Sequence, residues 1–201
     1  MLPVYRIRDG WSNLTNNNSI FDRVTELFKQ KKTVVIFPEG SHNLARRVRS
    51  LSKGFTRVVF DTFDKYPETE LVLVPIGLNF KKAEDFVDQA SMYVGQPIIA
   101  KNYIAEHRND GVVALKKEVY QAISKLTTHI PEDDYDNTLA KLELFNVNFL
   151  NPKEVNACIA SGFKNCNPKK ESNTLIKKLL KWLLIISVPV SYTHLTLPTK
   201  A

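Results

Sequence analysis

Residues 34–37, Val-Val-Ile-Phe, run directly into Pro38, Glu39 and Gly40, and then into Ser41, His42 and Asn43. A carboxylate followed by glycine leaves bare backbone beside it, because Gly40 has no Cβ to block a ligand and can take a positive φ. Glu39 can therefore accept a hydrogen bond from a substrate hydroxyl, while turn N–H groups and neighbouring guanidinium groups hold a phosphate. The cations are close in sequence. Arg6 and Arg8 lie upstream, and Arg46, Arg47, Arg49 and Lys53 lie downstream, the arginines as planar forks that match phosphate oxygens.

The charge distribution points the same way. Of 28 Lys/Arg and 21 Asp/Glu in the 201 residues, residues 1–57 hold 11 and 4, which leaves 17 of each in the rest of the chain. The whole formal excess of +7 thus surrounds Glu39, and such a concentration attracts nucleic acid, anionic lipid head groups or phosphorylated small molecules. At 43% hydrophobic and 24% charged, the chain is too apolar to be disordered and has the size of one domain with an appendage. Cys158 and Cys166 have no histidine at metal-ligand spacing, so neither a disulfide framework nor a zinc site is expected, and a reducing compartment fits. No apolar leader opens the sequence.

These residues need elements to position them. Residues 1–10 read as a short strand that places Arg6 and Arg8 on one face. Asn18 or Ser19 can cap a helix running to about residue 30, with Phe21, Val24, Leu27 and Phe28 as its apolar face. Residues 33–37 read as a buried strand, 55–63 as a helix, 70–80 as a second buried strand, 92–99 as a further extended piece, and 112–128 as a helix carrying Leu115, Val119, Ala122, Ile123 and Leu126. This alternation predicts an α/β fold, a largely parallel sheet with covering helices. Residues 1–130 form the main unit, and 131–174 are peripheral helical or linker segments. Residues 175–189 are basic and then apolar, the start of a membrane segment too short to span by itself. Residues 190–201 read as the translation of a sequencing adapter and are left out of fold reasoning.

Four blocks, PVYR at 3–6, FPEGSHN at 37–43, RRVRSLSKG at 46–54 and LVPIGL at 73–78, resemble in order and approximate spacing the later motifs of the glycerolipid acyltransferase family, of the 1-acylglycerol-3-phosphate acyltransferase type. The resemblance covers residues 1 to about 128. It implies transfer of a fatty acyl chain from acyl-CoA or acyl carrier protein to a hydroxyl of a lysophospholipid or glycerol phosphate, without metal or cofactor, at the cytoplasmic face of a membrane. By carry-over Arg6, Glu39 and Gly40 hold the acceptor, with Arg8 an alternative to Arg6. Phe37, Pro38, Ser41, Lys53 and Pro75 complete the expected substrate-binding set. Ser41-His42-Asn43 stands where the family more often has Thr-Arg, which leaves the acceptor open.

The family's catalytic element, a His with an Asp five residues later, precedes the Arg block, and nothing in this chain stands in that place. The expectation is therefore a domain incomplete at its N-terminus, inactive by itself, with no catalytic residue assigned. The match His129 to Asp134 comes after every other block and is read as non-catalytic. His42 is read as lining the pocket or facing solvent, and His107 and His194 carry no signal. Two further readings stay open. A non-catalytic anionic-lipid-binding domain would explain the charge and the apolar segment together. A nucleic-acid-binding module would explain the charge alone, but the arginines lack interleaved aromatics for base stacking.

Overall fold

The structure, a computed structural model, describes residues 16–40, 43–84 and 88–166. Arg6, Arg8, Ser41, His42, the expected strand at 1–10 and the segments 175–189 and 190–201 lie outside the described residues.

Helix α1 (Asn16–Lys29) turns Val24 and Thr25 inward and leaves Asp22, Arg23 and Glu26 outside. It ends in a Schellman arrangement, with Lys32 N–H donating to Leu27 C=O and Lys31 N–H to Phe28 C=O, both at 2.9 Å, and Lys31 in the left-handed region at φ 57°. Helix α2 (Gly54–Lys65) buries Phe55, Val58, Val59, Phe60 and Phe63 and packs against both α1 and α3 (Arg108–Leu126). On α3 the buried residues Leu115, Val119 and Ile123 recur every four positions, one stripe of a helix facing the core. Arg108 bridges Asp61 and Asp64 of α2, and Lys65 of α2 reaches Asp22 of α1. Val48, Leu51, Leu71, Ile98 and Ala100 complete this first core.

Helices with strands are present, but among the described residues the parallel sheet is not. The strands are β1 (Val72–Leu73), β2 (Ile76–Phe80), β3 (Ala90–Val94) and β4 (Ile98–Ile99), paired β1 with β4 and β2 with β3, both antiparallel. The link from β2 to β3, residues 81–89, is too short for the dozen or more residues that a parallel crossover needs. The continuous strand expected over 70–80 is broken. Pro75 supplies no N–H, and its carbonyl accepts from Gly95 N–H at 2.9 Å, so β1 and β2 join different partners.

The expected buried strand at 33–37 is a correction too. Those residues make no ladder among the described residues, and Val35 and Phe37 are 74% and 78% exposed. A β-branched apolar run meets the local requirements of a strand, but pairing needs a neighbour, and no described strand lies alongside it.

The β2–β3 hairpin has two unlike faces. Ile76, Leu78, Phe80, Met92 and Val94 point outward, while Gly77, Asn79, Ser91 and Tyr93 face the helices. A Cβ on Gly77 would lie 2.4 Å from Leu126 C=O, so the end of α3 sits directly on the strand backbone. Buried Asn79 then caps that end, donating to Leu126 C=O at 3.0 Å and accepting from Thr128 N–H at 2.9 Å.

Helices α4 (Tyr135–Leu144) and α5 (Pro152–Ala160) fall in the stretch expected to be peripheral. They build a second core of Ile130, Leu142, Val147, Phe149, Val155 and Cys158. Cys158 is disulfide-bonded to Cys166, against the expectation from cysteine count. The turn at 161–165, with Gly162 and Phe163 both at positive φ, folds the chain back on the end of α5 and brings the two sulfurs together. The cysteines therefore no longer argue for a reducing compartment. No helix among the described residues is long and apolar enough to cross a membrane.

Candidate functional site

Pro38 and Glu39 form a turn, and Gly40 leaves it at φ 71°. A Cβ there would meet only Ser52 Cβ at 3.9 Å, so the demand for glycine comes from backbone conformation and not from crowding. The turn closes on the basic loop that follows it, because Ser52 N–H donates to Pro38 C=O at 2.7 Å. The Arg49 backbone N–H bonds the Glu39 carboxylate, and the Arg49 charge also acts on it. Two sequence blocks, 37–40 and 46–54, are thus joined at two points.

Glu39 is half-buried. Burial raises its pKa above the ordinary carboxylate value, and the Arg49 charge and N–H oppose that rise without cancelling it. A carboxyl in that state suits hydrogen bonding to a hydroxyl-bearing ligand better than a fully solvated one, since less water competes for it.

The cations divide. The Arg46 guanidinium is spent on architecture: it donates to Phe80 C=O at 2.7 Å and to Lys81 C=O at 2.6 Å, and lies 3.9 Å from the centre of the Phe149 ring. Its burial lowers its pKa. Arg47 pairs with Glu132 at 2.7 Å. Arg49 stays with Glu39. Lys53 is exposed immediately before α2, a helix with no acidic residue in its first turn, so the positive end of the helix dipole adds to the local field. Gly54, the first residue of α2, has Ser52 Oγ 3.8 Å from where its Cβ would be, and Ser52 also lies under Gly40. Glu39, Gly40, Arg49, Ser52, Lys53 and the start of α2 therefore form one neighbourhood.

Other expected members sit differently. Phe37 directly precedes the turn and is largely solvated. Pro75 is buried and tied to Gly95, at the end of β2 roughly 17 Å along the strand from the end that Arg46 holds. Ser52 was not among the residues expected from sequence, and no side-chain pattern marks it, because it acts through its backbone N–H.

The described histidines are not arranged as a catalytic base. His107 is exposed ahead of α3. His129 Nδ1 accepts from Val48 N–H at 3.1 Å, which occupies the lone pair that a base would use. Asp134, five residues on, is bonded by Asn137 at 3.2 Å and lies 3.5 Å from the Thr138 hydroxyl, so it does not orient His129. Among the described residues no group of three or more His, Cys, Asp or Glu converges as a metal site would.

The Acyltransferase family profile matches residues 2–79, which covers the turn, the basic loop, α2 and most of β2. Glycerol-3-phosphate O-acyltransferase 1 of Saccharomyces cerevisiae is 28% identical over 116 residues, 55% of this chain and 15% of that protein. Glycerol-3-phosphate O-acyltransferase 2 of the same yeast is 24% identical over 128 residues, 62% of this chain and 17% of that protein. An uncharacterized acyltransferase of Schizosaccharomyces pombe is 22% identical over 125 residues, 60% of this chain and 18% of that protein. The chain therefore spans less than a fifth of the length of these relatives, and no solved structure matches it. With the four motif blocks in order, the profile over residues 2–79 and these relatives aligned to more than half of its length, the chain is similar over that stretch to glycerolipid acyltransferases.

Proposed function

We propose that the neighbourhood of Glu39 holds the phosphate-bearing acceptor of an acyl transfer, a glycerol phosphate or a lysophospholipid, with acyl-CoA or acyl carrier protein as donor. The observation that carries this reading is the half-buried Glu39 carboxyl held against Arg49, beside Lys53 and the N-terminal end of α2. A carboxylate beside cations suits a ligand that has both a hydroxyl and a phosphate: Glu39 accepts from the first, while Arg49, Lys53 and the helix end attract the second. Two of the relatives are named for glycerol 3-phosphate, which supports that acceptor.

A membrane surface is the proposed location. Val35, Phe37 and Leu44 are exposed apolar residues on either side of the turn and adjoin the basic loop, the combination that suits an anionic lipid interface, where each Lys or Arg contributes about 1 kcal/mol.

Calorimetric titration of the chain with glycerol 3-phosphate tests the acceptor reading. Binding that weakens about tenfold or more in Glu39→Gln, the size expected for loss of a hydrogen bond to a charged group, supports it. Unchanged affinity in that variant overturns the role of Glu39, and glycerol binding as well as glycerol 3-phosphate overturns the role of the cations.

A further inference from the structure

We propose that His129 is a positioning residue for the turn at 37–40, holding the basic loop from behind so that Arg49 and Ser52 can hold Glu39 and Pro38 from the front. This rests on the acceptor reading above.

Every residue from 46 to 48 is bonded to the segment between α3 and the start of α4. Arg46 N–H donates to Tyr135 Oη at 2.8 Å, and Ile130 N–H donates to Arg46 C=O at 2.9 Å. The Arg47 guanidinium pairs with Glu132 at 2.7 Å, and Val48 N–H donates to His129 Nδ1 at 3.1 Å. The next residue is Arg49, bonded to Glu39, and three further on Ser52 closes the turn through Pro38. The loop is thus held between the second core and the turn, and Val48 is the last clamped residue before the site begins.

His129 is itself held. Its backbone N–H donates to Asn156 Oδ1 at 2.9 Å, and Asn156 Nδ2 donates to the Ser124 and Thr127 carbonyls at 3.1 and 2.9 Å. One side chain of α5 therefore finishes α3 and sets the position of His129. Accepting at Nδ1 requires the neutral ring with its proton on Nε2, which faces Tyr120 Oη at 3.4 Å. The titratable groups beside the ring are Arg47 from the loop, with its partner Glu132, and Tyr120 from α3, while Tyr135 of α4 faces Arg46 and Arg47. Burial and the Arg47 charge both lower the pKa of His129 below the ordinary histidine value, which keeps Nδ1 an acceptor at neutral pH. When pH falls through that lowered value the ring gains a proton at Nδ1. Two N–H groups then face each other at Val48, a second positive charge stands beside Arg47, and the rear of the loop is released.

The test uses the 201-residue chain, residue-level amide hydrogen exchange from pH 7.5 to 5 with intrinsic rates divided out, and glycerol 3-phosphate titration in parallel. His129→Asn places an acceptor near the Nδ1 position and does not titrate, whereas His129→Ala removes the acceptor. Protection of the Val48, Arg49 and Ser52 amides is expected to fall ~10-fold with acid in the wild type, the size of one hydrogen bond, to stay level in His129→Asn, and to be low throughout in His129→Ala. Glycerol 3-phosphate affinity should follow the same order at each pH, after the acid loss seen in His129→Asn is taken as the joint contribution of Glu39 and of protonation of the ligand's own phosphate. Wild-type protection at pH 7.5 in His129→Ala overturns the proposal, and so does an acid loss in His129→Asn equal to that of the wild type. Should His129→Ala fail to fold, the wild type against His129→Asn still decides. Exchange needs no ligand, so absence of glycerol 3-phosphate binding in every variant counts against the acceptor reading alone.

Discussion

The two halves of the basic loop are alike in composition and opposite in use. Residues 46–48 carry two arginines, and both are consumed: Arg46 by strand-end carbonyls and the Phe149 ring, Arg47 by Glu132. Residues 49–53 carry Arg49 and Lys53, of which the first lies at Glu39 and the second is exposed ahead of α2. A run of cations is therefore not a measure of anion-binding capacity. What matters is which guanidinium groups the fold leaves turned toward the site, and here the first half anchors the loop so that the second half can present it.

Substitution in the two halves should separate stability from binding. Arg46→Ala removes two charge-assisted hydrogen bonds and the stacking on Phe149, and is expected to cost about 2–3 kcal/mol of stability. Arg49→Ala is expected to cost under ~1 kcal/mol while weakening glycerol 3-phosphate binding about tenfold. Denaturant unfolding beside calorimetry checks both, and equal stability losses in the two variants would erase the distinction between the halves.

Gly40→Ala comes next in size. The left-handed conformation costs a residue with a Cβ about 1–2 kcal/mol. Because the nearest atom is no closer than 3.9 Å, the strain is conformational, and Gly40→Asn should recover part of it. If Ala and Asn are equally destabilising, crowding and not φ governs the position.

The smallest effect belongs to Glu39 and carries an unusual sign. Its folded pKa lies above the ordinary value of about 4.5, so between those two values the folded state binds more protons than the unfolded state. Stability contributed by this group is present at low pH and declines as pH rises through that window. Glu39→Gln should therefore match the wild type below pH 4 and exceed it at pH 7, by a Tm rise on the order of 1–2 °C. A carboxyl that costs the fold something fits the acceptor-holding role proposed for Glu39. A Tm that falls at pH 7 in Glu39→Gln would instead make Glu39 a structural anchor of the turn.

The four motif blocks and the glycine turn could be read from the chain, because each depends on residue types within a few positions of one another. So could α1, α2 and α3, whose apolar residues recur at helical spacing. The fate of the apolar run 33–37 could not, since a strand is defined by a neighbour and not by its own side chains. The same holds for Ser52, whose contribution is a backbone N–H common to nearly every residue.

Local chemistry thus determined the helices, the left-handed exit at Gly40 and the likeness to the acyltransferases. Tertiary structure alone decided that Pro75 would split one expected strand between two antiparallel pairs, that Arg46 would be a structural residue, and that His129 would face Val48 and not Asp134. The physical reason is the same in each case. A carbonyl, a guanidinium or an imidazole has several equally good partners in chemical terms, and only packing of distant segments, such as α5 behind His129 and Phe149 beside Arg46, determines which partner lies within hydrogen-bonding reach.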